Sequence, residues 1–374
     1  MKHAFLGLFS AILITFSTQT TQADTRQFSS EAHDFRVEVL TNALANPWGM
    51  AFLPDGRILI TEKNSRLRLF ANGQLSDPLS GLPDIAVVGQ GGLLDVAVDP
   101  DFSDNRMVYL SYSEPGDGGY GTAVLRGRLG ERGLSDTEVI FRQNRKTSSG
   151  RHFGSRFTFA RDKTLFITLG DRADRPSAQD PFDHSGSVLR INRDGSIPSD
   201  NPFVDGNDAL PEIWSIGHRN VQGADLHPDT GELWTIEHGA RGGDEVNLPK
   251  AGKNYGWPVI SYGRHYSGAK IGVGVAQEGM EQPLHYWDPS IAPAGSSFYD
   301  GDLFPEWRGN LFVSALKFQL LSRLELNGEK VVREERLLEG EYGRIRDVET
   351  GPDGALYLLT NDGDGLLLRL SPAK

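Results

Sequence analysis

The stretch Trp48-Gly-Met-Ala-Phe-Leu-Pro-Asp-Gly-Arg-Ile-Leu-Ile60 holds two short apolar runs on either side of Pro54-Asp55-Gly56. Proline presets one turn dihedral, aspartate bonds its own backbone, and glycine takes the left-handed position. Such a turn between apolar runs is the mark of a β-hairpin. The same plan recurs in Leu94-Asp-Val-Ala-Val-Asp-Pro100 with Met107-Val-Tyr-Leu110, in Arg156 to Ile167, and in Gly223 to Trp234. It appears again in Ser297-Phe-Tyr299 with Trp307-Arg-Gly-Asn-Leu-Phe-Val313, and in Asp347-Val-Glu-Thr-Gly-Pro-Asp-Gly-Ala-Leu-Tyr-Leu358. The spacing of these six units, roughly 45–80 residues, is a loose match to propeller blades. Long helical periodicity is absent. An all-β, six-bladed β-propeller follows, with the tracts 172–212 and 241–296 expected as loops. A pair of β-sandwiches would leave the recurring Pro-Asp-Gly turns without a reason.

The hairpin register also places the polar residues. If the turns lie on one face, the other strand ends open on the opposite face. Gln90, His152, Arg219-Asn220 and Arg344-Ile-Arg346 stand there before the turns; Asp171, His238-Gly239-Ala240 and Lys317 stand there after them. All converge on one end of the propeller axis.

Outside the repeat, Met1-Lys2-His3 precedes an apolar run from Ala4 to Phe16, and a polar stretch ends at Thr21-Gln22-Ala23. The run is far short of the ~20 residues a membrane span needs. It reads as a signal peptide, residues 1–23, cleaved after Ala23. Residues 24–374 are then a single propeller domain, periplasmic or secreted. With no cysteine in its 374 residues, the chain has neither disulfides nor zinc–thiolate or thiol chemistry. The net charge of −12 gives no basic face for nucleic acid.

Three constellations carry chemistry. His152 has Asp171 at the end of its partner strand; a carboxylate there can orient an imidazole acting as general base. The plainer alternative is a buried structural histidine. Arg219, Lys317, Arg344 and Arg346 form a cation cluster that calls for an anionic ligand, unless Asp347, Glu349 or Asp244 neutralise it. The glycine-rich His238-Gly-Ala-Arg-Gly-Gly-Asp-Glu245 suits carbonyl coordination of a hard cation, with Glu245 and Asp244 as possible carboxylate ligands, or is a plain turn. Asp362-Gly-Asp-Gly365 reads as a turn. No Gly-x-Ser-x-Gly elbow or His-Glu-x-x-His is present.

Taken together, Asn46-Pro-Trp-Gly-Met-Ala-Phe52, Gly89-Gln-Gly-Gly-Leu-Leu-Asp95, Gly150-Arg-His-Phe-Gly154 and Gly217-His-Arg-Asn-Val-Gln-Gly223 resemble the soluble aldose sugar dehydrogenases that depend on pyrroloquinoline quinone (PQQ). Glu237-His-Gly-Ala-Arg-Gly-Gly-Asp-Glu245, Gly252-Lys-Asn-Tyr-Gly-Trp-Pro258, Ala315-Leu-Lys317 and Arg344-Ile-Arg-Asp347 extend the resemblance, which runs from about Asn46 to Leu370. It implies that His152 is the catalytic base, supported by Asp171. It implies that Gln90, Arg219, Asn220, Tyr266, Lys317, Arg344 and Arg346 hold the quinone. It further implies that the Gly239 and Ala240 carbonyls bind its Ca2+, and that Glu245 and Tyr255 serve a second calcium site. The family typically has proline where this chain has Ala240, which leaves that loop less rigid. The reaction implied is oxidation of an aldose to its lactone, with electrons passed to an external acceptor. The rival classes are a non-enzymatic propeller that binds a ligand or partner on its axial face, and a calcium-dependent lactonase. The former needs no base, cation cluster and calcium loop together; the latter needs carboxylates on the axis.

The leader makes a direct prediction. Protein recovered from outside the cytoplasm should begin near Asp24 on N-terminal sequencing; an intact Met1 on protein confined to the cytosol would contradict it.

Overall fold

A computed structural model describes residues 25–373. The proposed leader, 1–23, lies outside the described residues. Six mainly antiparallel sheets of four or five strands surround a common axis. Their innermost strands are Pro47–Phe52, Leu93–Val98, Phe157–Phe159, Val221–Leu226, Pro293–Phe298 and Ile345–Thr350. Each packs on the next, and the last packs on the first, so the ring is closed. The six quoted hairpins are the first and second strands of the six blades.

The ring is closed by the chain ends. The sixth blade pairs Gly365–Pro372 with Asp34–Leu44, in register from Phe35↔Pro372 to Leu44↔Gly365. Antiparallel ladder bonds thus do the work that a disulfide would do elsewhere. Phe35, Val37, Leu368 and Leu370 from the two ends share one apolar cluster with Trp307 and Phe312 of the fifth blade.

Carboxylates stitch neighbouring blades at the axis. Asp95 accepts the Phe157 backbone N–H at 2.8 Å, Asp347 accepts that of Met50 at 3.0 Å, and Asp225 accepts that of Phe298 at 2.7 Å. Each bond links one inner strand to the next. Arg156 lies between the first two, 3.0 Å from Asp95 and 3.0 Å from Asp347. All three side chains are buried. Gly49 and Gly295 have no room for a side chain, because a Cβ would come within 2.5 Å of the Asp95 carboxylate and 1.9 Å of the Asp347 carboxylate.

One expectation needs correction. The tracts 172–212 and 241–296 are not simply loops: they contain Ser187–Ile191, Asp244–Asn247, Lys253–Asn254 and His285–Trp287, outer strands of the third and fourth blades. These strands are two to five residues long and widely separated, too short to show an alternating pattern. Lys253–Asn254 returns from the fourth blade to pair in parallel with the third.

The axial bridge makes a stability prediction. Burial raises Asp95 and Asp347 above the usual carboxylate range, and Arg156 opposes this. Arg156→Leu should cost about 3–5 kcal/mol, the usual effect of breaking a buried ion pair. Both aspartates would then have folded pKa values raised further above their unfolded ones. Proton release therefore favours unfolding, and the deficit should grow as pH rises from about 4 to 7. Denaturant melts of both proteins across that range test it; a deficit independent of pH would reject the account.

Candidate active site

Five of the six inner strands carry an irregularity at their axial end. The register slips between Pro47 and Gly49, Leu93 and Val96, Val221 and Gly223, Pro293 and Ser296, and Ile345 and Asp347. An inserted residue breaks the alternation and re-aims its side chain, which is why bulges collect at sites. Here Trp48, Leu94, Gln222 and Arg346, all in the slipped segments, line a cavity of about 190 Å³ on the axis. Gln90, Asn220, His238 and Arg344 complete much of its wall. A wider cleft of about 910 Å³ shares His238 and Ala292 with it, and is lined by Gly239, Ala240, Tyr266 and Lys317. A third, small space under Arg219 is walled by Glu237, Glu245, Tyr255 and Trp257, again with His238. The three spaces meet at His238.

His152 and Asp171 come together as the sequence predicts. The imidazole Nδ1 lies 2.6 Å from Asp171 Oδ1. Asp171 also accepts the Trp257 indole N–H at 2.7 Å and the Ala173 backbone N–H at 2.7 Å, so its position is fixed from three directions. Burial alone would raise Asp171; the His152 contact, the Arg219 charge and the Ala173 N–H together hold it below the usual range. Burial is also the largest influence on His152, and with the Arg219 and Arg172 charges it outweighs Asp171 and holds the imidazole below its ordinary value. A neutral imidazole with Nδ1 bonded to a carboxylate leaves Nε2 free to accept a proton.

The backbone of His152 is left-handed, with φ of 53°. Two contacts hold it there. Gln90 Oε1 accepts its backbone N–H at 2.7 Å. Arg172, 1% exposed, donates to the carbonyls of Ser149 and Arg151 and lies 3.4 Å over the Phe153 ring. Gln90 is thus in reach of the base itself. Nothing in the spacing pointed to Arg172, because its partners are backbone carbonyls 21 and 23 residues away.

None of the four clustered cations is paired with a carboxylate among the described residues. Asp347 is engaged with Arg156, and Asp244 accepts the Gly239 and Ala292 backbone N–H groups at 2.8 and 3.0 Å. The salt-bridge alternative therefore fails for Asp347 and Asp244. Arg346 is buried 4.4 Å over Trp48, donates to Gln222 Oε1 at 2.8 Å, and keeps Nε without a partner. Burial, with Arg156 beside it, pushes its guanidinium down to about 9. Arg219 is also buried with Nε unpartnered, while Nη1 donates to the His238 carbonyl at 3.2 Å. Burial first, then Arg219 and Arg346, drives His238 down to about 3, so it is neutral. Orphaned guanidinium donors on buried arginines around these spaces fit a ligand with carboxylates.

The loop Gly239–Gly243 turns tightly, with φ of 79° and 70° at Gly242 and Gly243. Asp244 pins it from below, with a backbone N–H on each carboxylate oxygen. Glu245 is different. Burial, with the Glu237 carboxylate beside it, pushes Glu245 up to about 8. Asn247 donates to both glutamates, at 2.9 Å to Glu237 and 3.2 Å to Glu245, while its own Oδ1 is buried without a partner. Two close carboxylates and an orphaned amide oxygen suit a hard cation. The Tyr255 hydroxyl is committed, donating to the Leu248 carbonyl and accepting the Lys250 N–H at 3.0 Å. Tyr266 stands apart from the enclosed cavity, 70% exposed on the rim of the cleft.

Residues 44–369 match the model of the glucose/sorbosone dehydrogenase family. The aldose sugar dehydrogenase YliI of Escherichia coli is 48% identical over 343 residues, covering 90% of this chain and 92% of its own. The crystal structure of the soluble aldose sugar dehydrogenase from Escherichia coli in its apo-form superposes with a TM-score of 0.88 at 48% identity, over 91% of this chain and all of the other. The PQQ-bound aldose sugar dehydrogenase of Streptomyces coelicolor superposes with a TM-score of 0.76 at 27% identity, over 94% and 98% of the two chains. Together with the six-bladed ring and the axial His152–Asp171 pair, these likenesses place the chain in the glucose/sorbosone dehydrogenase family.

Proposed function

We propose that this protein is a PQQ- and calcium-dependent aldose sugar dehydrogenase, oxidising the anomeric carbon to a lactone and passing the electrons to an external acceptor. Residues 24–374 would form the catalytic domain, exported to the periplasm or beyond by the leader. The observation that carries this reading is a neutral histidine, oriented by a buried aspartate, at a site whose four cations lack carboxylate partners among the described residues. The family membership and the PQQ-bound relative support it. No helix among the described residues is long and apolar enough to cross a membrane.

Arg219, Lys317, Arg344 and Arg346 would hold the cofactor's carboxylates, and Gln90, Asn220 and Tyr266 its remaining polar edge. The Gly239 and Ala240 carbonyls would hold one calcium. Glu245 would hold a second, with Tyr255 contributing through its backbone carbonyl, since its hydroxyl is engaged. When bound, the quinone supplies the two-electron oxidant, and calcium polarises it as a Lewis acid. The chain does the rest. His152 Nε2 takes the anomeric hydroxyl proton as charge leaves the carbon. Asp171 keeps the ring in the right tautomer and stabilises the imidazolium that forms. Trp257 and the Ala173 N–H prevent Asp171 from turning away. Trp48, Phe153 and Leu94 form an apolar wall that limits water.

Turnover should therefore rise with pH as His152 loses its proton, with a midpoint below the ordinary 6.5 of an imidazole. His152→Ala should lower kcat by roughly 10²–10⁴ while leaving PQQ binding nearly intact. Asp171→Asn removes the interaction that raises His152, so the midpoint should move lower still, with a smaller loss of kcat. Near wild-type turnover by His152→Ala, shown to be loaded, would exclude it as the base.

Cofactor affinity has its own test. Arg344→Ala and Arg346→Ala should each weaken PQQ binding by roughly 1.5–3 kcal/mol, the value of a charge-assisted hydrogen bond. Titration of the apo-protein measures this, and unchanged affinity in both variants would move the cofactor elsewhere. Removing calcium with a chelator should lower the melting temperature, because a metal that binds only the folded state stabilises it. An unchanged melt would count against Glu245 as a metal ligand.

A further inference from the structure

Cations over much of the surface are paired. Arg26 meets Glu341, Lys163 meets Asp101, Lys253 meets Glu281, Arg308 meets Asp302 and Arg369 meets Asp353. Lys317 at the site is exposed and has no ion pair among the described residues, and the same is true of a group beside it. Arg241, Arg264 and Lys270 form no ion pair with any described carboxylate, and all three side chains reach solvent. Their placement is fixed by the backbone. Arg241 and Arg264 exchange N–H···O bonds of 2.9 and 3.1 Å, and Arg264 is bridged in turn to Lys270. The segment 261–275 is thus fastened to the Gly239–Gly243 loop at the mouth of the site.

The same segment exposes apolar side chains. Tyr266 is 70% exposed, Val273 60% and Val275 48%, among the largest values for apolar residues of the described chain. Exposed aromatic and aliphatic side chains on one segment with unpaired arginines and a lysine are the composition of a transient protein interface, where aromatic and arginine side chains are enriched. Asp288 lies in the same cleft and offsets part of this charge. The rest of the molecule is acidic, with a net charge of −12. An acidic partner would be repelled by most of the surface and attracted only here, which orients the encounter.

We propose that the Arg241–Arg264–Lys270 rim with Tyr266, Val273 and Val275 is the docking surface for an acidic one-electron carrier protein. This rests on the proposed dehydrogenase reading, whose electrons need an acceptor. Oxidation of an aldose to a lactone releases two electrons and two protons. Two carrier molecules dock in succession, each leaving with one electron, and the protons pass to solvent. A carrier on this rim sits against the loop that would hold the calcium, so the electron path runs through one short segment of chain.

The test uses the PQQ- and calcium-loaded protein with saturating aldose and two c-type cytochromes of matched potential, one acidic and one basic. At about 0.1 M salt, where the screening length of about 10 Å suppresses the net charge of the whole molecule but not contacts at the rim, the acidic cytochrome should be reduced with a kcat/KM above that of the basic one. The advantage should fade as salt shortens the screening length. The Arg264→Glu, Lys270→Glu double variant should lose about tenfold with the acidic cytochrome and keep wild-type rates with a small neutral dye. Equal rates with both cytochromes at that salt concentration, or a double variant unchanged with the acidic one, would overturn the proposal. Binding of the acidic cytochrome to the apo-protein, followed by calorimetry at low salt, reads the surface without turnover. There, salt-sensitive binding lost in the double variant supports the proposal, and no difference between the two proteins overturns it. Failure of the neutral dye reaction in the wild type would instead count against the dehydrogenase reading.

Discussion

The architecture depends on how six inner strands meet at an axis without a disulfide. At that radius there is little space for apolar packing, and each strand must leave its neighbour's backbone satisfied. Asp95, Asp225 and Asp347 solve this by accepting an N–H from the next blade. Two of these carboxylates then face one another, and Arg156 separates them at 3.0 Å from each. A buried ion pair is weak evidence of net stability, but an incomplete one is costly. The triad therefore specifies the ring: any shift of a blade would leave a buried charge alone. The glycines at 49 and 295 are the corollary, since a side chain there would displace a carboxylate.

The same axial packing creates the site. Above the carboxylate stitches, the inner strands can no longer run in regular register, and five of them slip. The slipped residues turn Trp48, Gln222 and Arg346 toward the cavity. Trp48 contacts two guanidiniums, Arg156 at 4.5 Å and Arg346 at 4.4 Å from its ring centre. One arginine is neutralised by structure, and the other is left over. This division separates a stabilising cation from a binding one within a few ångströms. Burial first, and then the leftover cations, keep His152 and His238 neutral.

Much of this was legible in the chain. The Pro-Asp-Gly turns identified the hairpins, because tight turns are local and use few residue types. The register of those hairpins placed Gln90, His152, Asp171, Arg219, Asn220, Lys317, Arg344 and Arg346 at one end of the axis, because a strand's ends follow from its turn. The outer strands between 172 and 296 were not legible, since strands of two to five residues are set by their neighbours and carry no pattern of their own. Trp257 and Glu237 stood in motifs already singled out, but their partners are remote: Trp257 reaches Asp171 86 residues back.

The sequence by itself determined the blade count, the face on which polar groups collect, and the type of each group, since turn chemistry and two-residue alternation are local properties. Only the tertiary structure decided which charges remain free. Arg156 and Arg346 are both buried arginines at inner strands, and no local signal tells them apart. Arg156 meets two aspartates from other blades, and Arg346 meets the amide of Gln222 and keeps an unpaired donor. Whether a charge is neutralised depends on what arrives from another blade, and that is settled only when the ring closes.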